Sequence, residues 1–137
     1  MDTGVDINAN IILTFSEDVV VETGNITIKK SSDDSVLETI SVTSSKVTGT
    51  GTTTITINPS STLNESTKYY INIAATAFDD NSGNSYAGIN DSATLDFTTV
   101  SIAPTLSSSS PSDGDLDVAV NTNIVLTFSE DVVVETG

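Results

Sequence analysis

The acidic turn Asp79-Asp80-Asn81-Ser82-Gly83-Asn84 has residue types that could bind a metal ion. Calcium takes about six to eight oxygen ligands from closely spaced carboxylates, amides and carbonyls. The candidate ligands here are Asp79, Asp80, Asn81 and Asn84. The segment does not fit an EF-hand loop, which needs an acid or amide at Gly83 and a glycine at Asn84. The competing interpretation is a solvated turn whose Asp and Asn side chains cap their own backbone while Gly83 takes a positive φ.

A second pair of acids, Glu17 and Asp18, could add ligands to this calcium site. The pair comes just after the inward-facing Phe15, at the end of a predicted strand, which could bring both side chains to one pole of the domain. The competing interpretation is a solvated charge pair. The sequence therefore predicts calcium as a possible cofactor and no other.

The chain contains neither cysteine nor histidine. Disulfide bonds, thiolate catalysis, zinc sites of the usual type and a Ser-His-Asp triad are therefore excluded. Glycoside hydrolysis by two carboxylates needs a cleft that holds a sugar. A small chain with no tryptophan and three tyrosines offers neither the cleft nor a stacking platform. We expect no enzymatic activity.

The net charge is −15, from four lysines and 19 acidic residues. The acids are scattered along the chain rather than gathered in a tail, so the whole surface repels nucleic acid and anionic membranes. No apolar run approaches the roughly 18–20 residues that span a bilayer. The sequence therefore predicts no nucleic-acid partner and no membrane insertion.

An internal repeat organises the chain. Residues 13–24 return without change as residues 126–137, an offset of 113, and 17 of the last 24 positions match the first 24. We interpret the sequence as a slice through a tandem array. One repeat covers residues 1–101, and residues 102–137 form the opening strands of the next.

The strands that would position the candidate calcium ligands are predicted from apolar residues that recur at every second position. Ile11, Leu13 and Phe15 share one face of the first such segment. About seven short antiparallel strands without helical periodicity predict an all-β fold, a Greek-key β-sandwich. Leu63 and Tyr69 have the L-x5-Y spacing of a tyrosine corner, in which the tyrosine hydroxyl returns to the upstream backbone.

The opening of the second copy resembles a known family. Residues 111–114 (Pro-Ser-Asp-Gly) and 117–130 (Asp-Val-Ala-Val-Asn-Thr-Asn-Ile-Val-Leu-Thr-Phe-Ser-Glu) are similar to the signature that opens bacterial Ig-like repeats of the S-layer and surface-adhesin type. Residues 67–69, 80–84 and 97–99 resemble later parts of such a repeat. Together these segments extend the resemblance over essentially the whole chain, and it implies that the predicted sandwich is an Ig-like Greek-key β-sandwich.

The resemblance implies an extracellular or cell-surface protein in which such repeats act as stalks, spacers or adhesin modules beside neighbouring Ig-like repeats. We therefore expect a non-enzymatic structural or adhesive role. The alternative is a calcium-dependent module that binds carbohydrate or another protein. A contiguous exposed patch around Tyr86 and Ile89 would favour this alternative, with Tyr86 as its exposed ring.

Residues 1–100 lack the family's first strand, whose equivalent appears only at residues 104–111. An open sheet edge of this kind needs a partner. The tail of one molecule can supply the strand to the next molecule, giving a head-to-tail filament, or two molecules can exchange strands and form a swapped dimer. We expect self-association, through residues Thr105, Leu106, Ile124, Leu126 and Phe128.

Overall fold

The computed structural model describes residues 2–134, which form eleven strands and their connecting turns. The strands are β1 (Asp2–Val5), β2 (Ile11–Val21), β3 (Asn25–Lys30), β4 (Val36–Ser41), β5 (Val47–Thr48), β6 (Thr52–Ile57), β7 (Lys68–Ile73), β8 (Phe78–Asp80), β9 (Asp96–Thr99), β10 (Leu106–Ser110) and β11 (Val125–Phe128). The chain divides into two compact units, residues 1–101 and residues 102–137. Over the described range, no helix is long and apolar enough to cross a membrane.

The first unit is a sandwich of two sheets. One sheet has the strand order β1-β9-β7-β3-β4 and the other has the order β5-β6-β2-β8. Alternate residues of both sheets point inward and form a single core, in which the fully buried side chains include Ile26, Ile28, Ile55, Ile57 and Ile71. The predicted all-β, Ig-like sandwich is confirmed.

Three strands of the first unit are too short to be predicted from the sequence. β5 and β8 have only two and three residues, and β1 has four, so none is long enough to show a clear alternation of apolar and polar residues. β1 also pairs in parallel with β9, with Asp2 opposite Phe97 and Val5 opposite Thr99. Over residues 2–101, the other strand pairs of the sandwich are all antiparallel.

The predicted tyrosine corner is present at the start of β7. The Tyr69 side chain is 0% exposed, and its hydroxyl accepts a hydrogen bond from the Asn64 backbone N–H at 2.9 Å. The Tyr69 ring stacks on Phe97, with the ring centroids 5.9 Å apart. The Thr99 hydroxyl donates to the Asn64 carbonyl at 2.6 Å. The loop before β7 is thus held to the core by two side chains.

β2 is the longest strand and pairs with different partners along its length. On one edge it pairs with β6 from Ile11 to Thr14 and again at Val19. On the other edge it pairs with β8, but only from Val19 to Val21. The register shift between Thr14 and Val19 is a bulge that contains Phe15, Glu17 and Asp18.

The second unit contains one antiparallel pair, β10 and β11, over its described residues 102–134. β11 (Val125–Phe128) is the copy of residues 12–15 in β2, with valine in place of Ile12. Large apolar side chains remain exposed on this pair, including Leu106 at 56% and Leu126 at 51%. A two-stranded sheet with so little buried surface is marginally stable by itself.

Candidate functional site

The acidic turn joins β8 to the segment that returns beside it. Asp79 bridges to Ser85, and the Tyr86 N–H donates to the Phe78 carbonyl at 2.8 Å. These contacts close a small hairpin with its tip at residues 81–84. The tip is exposed, whereas Asp79 is partly buried.

Asp80 organises the tip of this hairpin. Its Oδ1 accepts the backbone N–H groups of Ser82 and Asn84, each at 2.8 Å, and its Oδ2 accepts the Asn84 side-chain amide at 2.7 Å. The hydrogen bond from the Asn84 side chain, followed by that from its backbone, lowers the pKa of Asp80. Gly83 has a positive φ of 84°. Asp80 therefore caps the backbone of its own turn.

The structure brings some of the candidate calcium ligands together. Glu17, Asp79, Asp80 and Asn84 line one open depression of about 180 Å³, whereas Asn81 and Asp18 are exposed and are not among its lining residues. Across residues 2–134, no three acidic side chains converge closely enough to hold a metal ion. Both Asp80 oxygens already accept hydrogen bonds from the turn. Calcium binding here remains a prediction.

The two residues expected to form an exposed binding patch belong instead to the edge of the core. Ile89 is 9% exposed and part of the buried cluster. Tyr86 is partly buried, and its ring meets Phe15 edge-on with the centroids 5.3 Å apart. The expectation of an exposed Tyr86 ring was wrong. The Tyr86 ring lies inward here because it packs on Phe15, whose ring in turn packs on Phe78.

Glu38 is a structural residue whose role the sequence did not reveal. Its side chain is 9% exposed and forms an ion pair with Lys46. Its Oε2 also accepts the backbone N–H groups of Ser60 and Ser61 at 2.9 and 3.0 Å. Burial raises the pKa of Glu38, but the hydrogen bonds and the Lys46 charge outweigh burial, so the pKa lies below its ordinary value.

Two features of the sequence could have indicated this contact. Glu38 interrupts the apolar face of β4, and the chain has only four cationic residues to share among its acids. A second lysine, Lys68, also pairs with a partly buried acid, Asp96, at 2.7 Å. Neither pairing partner can be identified from spacing, because each pair joins segments that only the fold brings together.

Protonation of Glu38 is expected to destabilise the first unit. Because its folded-state pKa is lowered, the carboxylate stabilises the fold above its unfolded pKa of about 4.3. This contribution is lost as the pH falls through the lower, folded-state pKa. Protonation of other acids relieves the repulsion within a chain of net charge −15, which acts in the opposite direction. The pH dependence of the free energy of unfolding of the parent therefore does not separate the contribution of Glu38 from those of the other acids.

The difference between the parent and Glu38→Gln does isolate it. We expect the parent to be the more stable at pH 6 and this advantage to shrink as the pH falls from 5 to 3, measured by urea unfolding at each pH. Asp131→Asn, an exposed acid in the second unit, serves as the control. An advantage that stays constant over this pH range would contradict the role assigned to Glu38.

The residues predicted to mediate self-association lie in or beside β10 and β11. The Thr105 carbonyl accepts the Ser129 N–H at 2.9 Å, and Leu106 faces Phe128 across the pair. Ile124 precedes β11 and is 77% exposed. Leu106, Ile124 and Leu126 are therefore exposed, whereas Phe128 is partly buried.

Comparison with protein families identifies one match. A family model described as a bacterial Ig-like domain matches residues 1–99 and again residues 100–137. The two matches follow each other along the chain. In further comparisons, no curated protein and no solved structure matches the chain significantly.

Proposed function

The chain belongs to the bacterial Ig-like domain family, and from this premise we propose that it serves as a structural spacer within a tandem array of such repeats. Domains of this family typically occur in surface or extracellular bacterial proteins and are generally structural rather than catalytic. The partners in such an array are the neighbouring Ig-like repeats. An adhesive role belongs to the same proposal, since spacers of this type carry binding modules away from the cell.

The observation that supports the spacer role is the repeat itself. The family matches twice in succession, and residues 13–24 return unchanged after 113 residues. An array of identical modules gives length in proportion to the number of modules, as in other repeat architectures. Of the two side chains expected to form a ligand-binding patch, Ile89 is buried and Tyr86 is partly buried, so this pair offers no support for the alternative of a carbohydrate-binding module.

The charge of the chain suits an extended array. At a net charge of −15 for 137 residues, successive repeats repel each other over distances up to the screening length of about 8 Å at physiological ionic strength. Repulsion between neighbours disfavours compact arrangements. Calcium bound at the depression that contains Glu17, Asp79 and Asp80 would reduce that repulsion locally, and we include it in the proposal as a stiffening ion.

Small-angle X-ray scattering on chains of two, three and four 113-residue periods tests the spacer role. We expect the maximum dimension to increase by roughly 35–40 Å for each added repeat, from the strand rise and the size of such a domain. A dimension that grows only as the cube root of the mass would overturn the proposal. The same series in calcium and in chelator tests the ion separately: identical profiles would remove calcium and leave the spacer role standing.

A further inference from the structure

Part of one edge of β2, from Ile11 to Phe15, has no partner strand among residues 2–134. From Ile11 to Thr14 the strand is paired with β6 on one side only, and β8 reaches the opposite edge only at residues 19–21. Among residues 2–134 no strand pairs with the β8-side edge between Ile11 and Phe15. Ile12, in the middle of this edge, is 64% exposed.

The hydrogen bonds of β6 show which backbone groups of β2 face the open edge. In an antiparallel ladder, successive residues point their N–H and C=O groups to opposite sides. The Asn58 N–H donates to the Lys46 carbonyl, on the β5 side, at 2.8 Å. Ile57 and Ile55 therefore direct their groups to the other side, toward β2.

The same alternation continues on β2. Ile57 and Ile55 lie opposite Ile11 and Leu13, which consequently use their backbone groups to pair with β6. The groups of Ile12 and Thr14 point away from β6 and toward the open edge.

The second unit shows a strand that fits this edge. On β11, the Ser129 N–H donates to the Thr105 carbonyl, so by alternation the groups of Thr127 and Val125 are directed to β10. Thr127 and Val125 are the copies of Thr14 and Ile12. β10 thus pairs with the same backbone groups that β2 leaves open.

The pairing of β10 with β11 also defines a register for β2. Leu106, Ser108, Ser109 and Ser110 lie opposite Phe128, Thr127, Leu126 and Val125. Subtracting the offset of 113 places the same four residues opposite Phe15, Thr14, Leu13 and Ile12. Three of these four β2 residues are identical in the two copies.

A largely apolar depression lies beside the open edge of β2. It measures about 130 Å³ and is lined in part by Val5 of β1, Phe97 of β9 and Ile11 of β2. The inward side chains Ile11, Leu13 and Phe15 are only partly buried, whereas those of the neighbouring β6 are fully buried. Continuing the register by one residue brings Pro111 beside Ile11, at the wall of the depression.

We propose that β10 of one copy of this chain adds to the open edge of β2 in a second copy, in the register given by β10 and β11. In this contact β10 leaves the marginally stable two-stranded sheet with β11 and joins the folded sandwich of the second copy. There it covers the partly exposed side chains of Ile11, Leu13 and Phe15. The proposal does not depend on the spacer role.

The direction of the strands favours a second copy over the same chain. β9 runs parallel to β1 and ends opposite Val5, toward the end of the unit from which the chain turns into β2. To lie antiparallel to β2, β10 must begin at the far end of the edge, beside Phe15. In one chain, residues 100–105 would have to run back along the edge and then reverse. A second copy supplies β10 without that reversal.

Cysteine cross-linking tests the contact and its register. The parent has no cysteine, so in a chain with Ile12→Cys and Ser110→Cys every disulfide joins introduced residues, and peptide mapping distinguishes a bond between positions 12 and 110 from one between two copies of the same position. Opposite residues of an antiparallel pair are close enough for a disulfide. Under mild oxidation we expect covalent species of two or more chains, increasing with concentration. The control pair, Ile12→Cys with Ser109→Cys, points its side chains to opposite faces and should cross-link about fivefold less.

Two variants extend the test to the unmodified contact, with molar mass measured by light scattering. Ser108→Pro removes a backbone donor from β10 and should yield monomer in which the first unit stays folded. A copy of residues 102–113 placed before Met1 supplies the edge with its own strand and should also yield monomer. A parent that stays monomeric at millimolar concentration, a cross-link confined to single chains, or equal association after the edge is filled would each overturn the proposal.

Discussion

Gly49→Ala is expected to lower the free energy of unfolding of the first unit by about 2–4 kcal/mol. Gly49 lies in the turn between β5 and β6 with φ at +104°, a conformation that L-residues rarely adopt. A Cβ at this position would lie 2.0 Å from the carbonyl oxygen of Thr54, so the turn has to open. Opening the turn also strains the bond from the Gly51 N–H to the Val19 carbonyl, 2.8 Å long, which ties the turn to β2.

Gly51→Ala provides the matched control for this substitution. Gly51 lies in the same turn and also has a positive φ, of +78°, but an added Cβ would meet nothing within 4 Å. Its cost is then only that of the left-handed backbone, about 1–2 kcal/mol. Chemical unfolding of the parent and both variants measures the two effects. Equal losses would mean that the close approach to Thr54 is unimportant.

Tyr69→Phe is expected to lower the free energy of unfolding by about 1–3 kcal/mol, because the Asn64 N–H loses its acceptor while the ring stays buried. For a domain of about 100 residues, each kcal/mol corresponds to a fall in Tm of about 4–8 °C. Thermal unfolding followed by circular dichroism measures the shift. The substitution removes one oxygen and leaves the stacking on Phe97 in place.

Tyr86→Phe tests whether the loss is specific to the corner. The Tyr86 ring is partly buried against Phe15, and within residues 2–134 its hydroxyl forms no hydrogen bond. We expect a change of less than about 0.5 kcal/mol, as for substitutions away from structural contacts. If both phenylalanine variants melt alike, the hydrogen bond to Asn64 contributes nothing measurable to the stability of the corner.

The parts of the fold that could be predicted from the sequence depend on local spacing. The alternation of Ile11, Leu13 and Phe15 indicated a strand, and the interval from Leu63 to Tyr69 indicated the corner, since the residues that make each feature are close in the chain. β5 and β8 could not be predicted in this way. These two strands form because β6 and β2 present edges with which they can pair. A segment of two or three residues is too short to show an alternation of apolar and polar side chains.

In the candidate calcium site, too, local features could be predicted from the sequence whereas contacts between distant segments could not. The composition of residues 79–84 predicted a turn with a left-handed glycine, and the structure has one at Gly83. The position of Glu17 beside that turn was less certain from sequence, since it follows from the pairing of Val19 with Asp80. Glu38 could be noticed as a charge on an apolar face, but its contacts with Ser60 and Ser61 span more than twenty residues of chain.

The duplicated segment gives the chain its own reference peptide for hydrogen exchange. In the first unit the segment stays in β2 as far as Val21 because β8 pairs with it, whereas in the second unit β11 ends at Phe128. Intrinsic amide exchange rates depend on neighbouring side chains, which are the same for residues 14–21 and 127–134. The ratio of exchange rates at each matched pair therefore reports the free energy of local opening that tertiary context adds, without a correction for sequence.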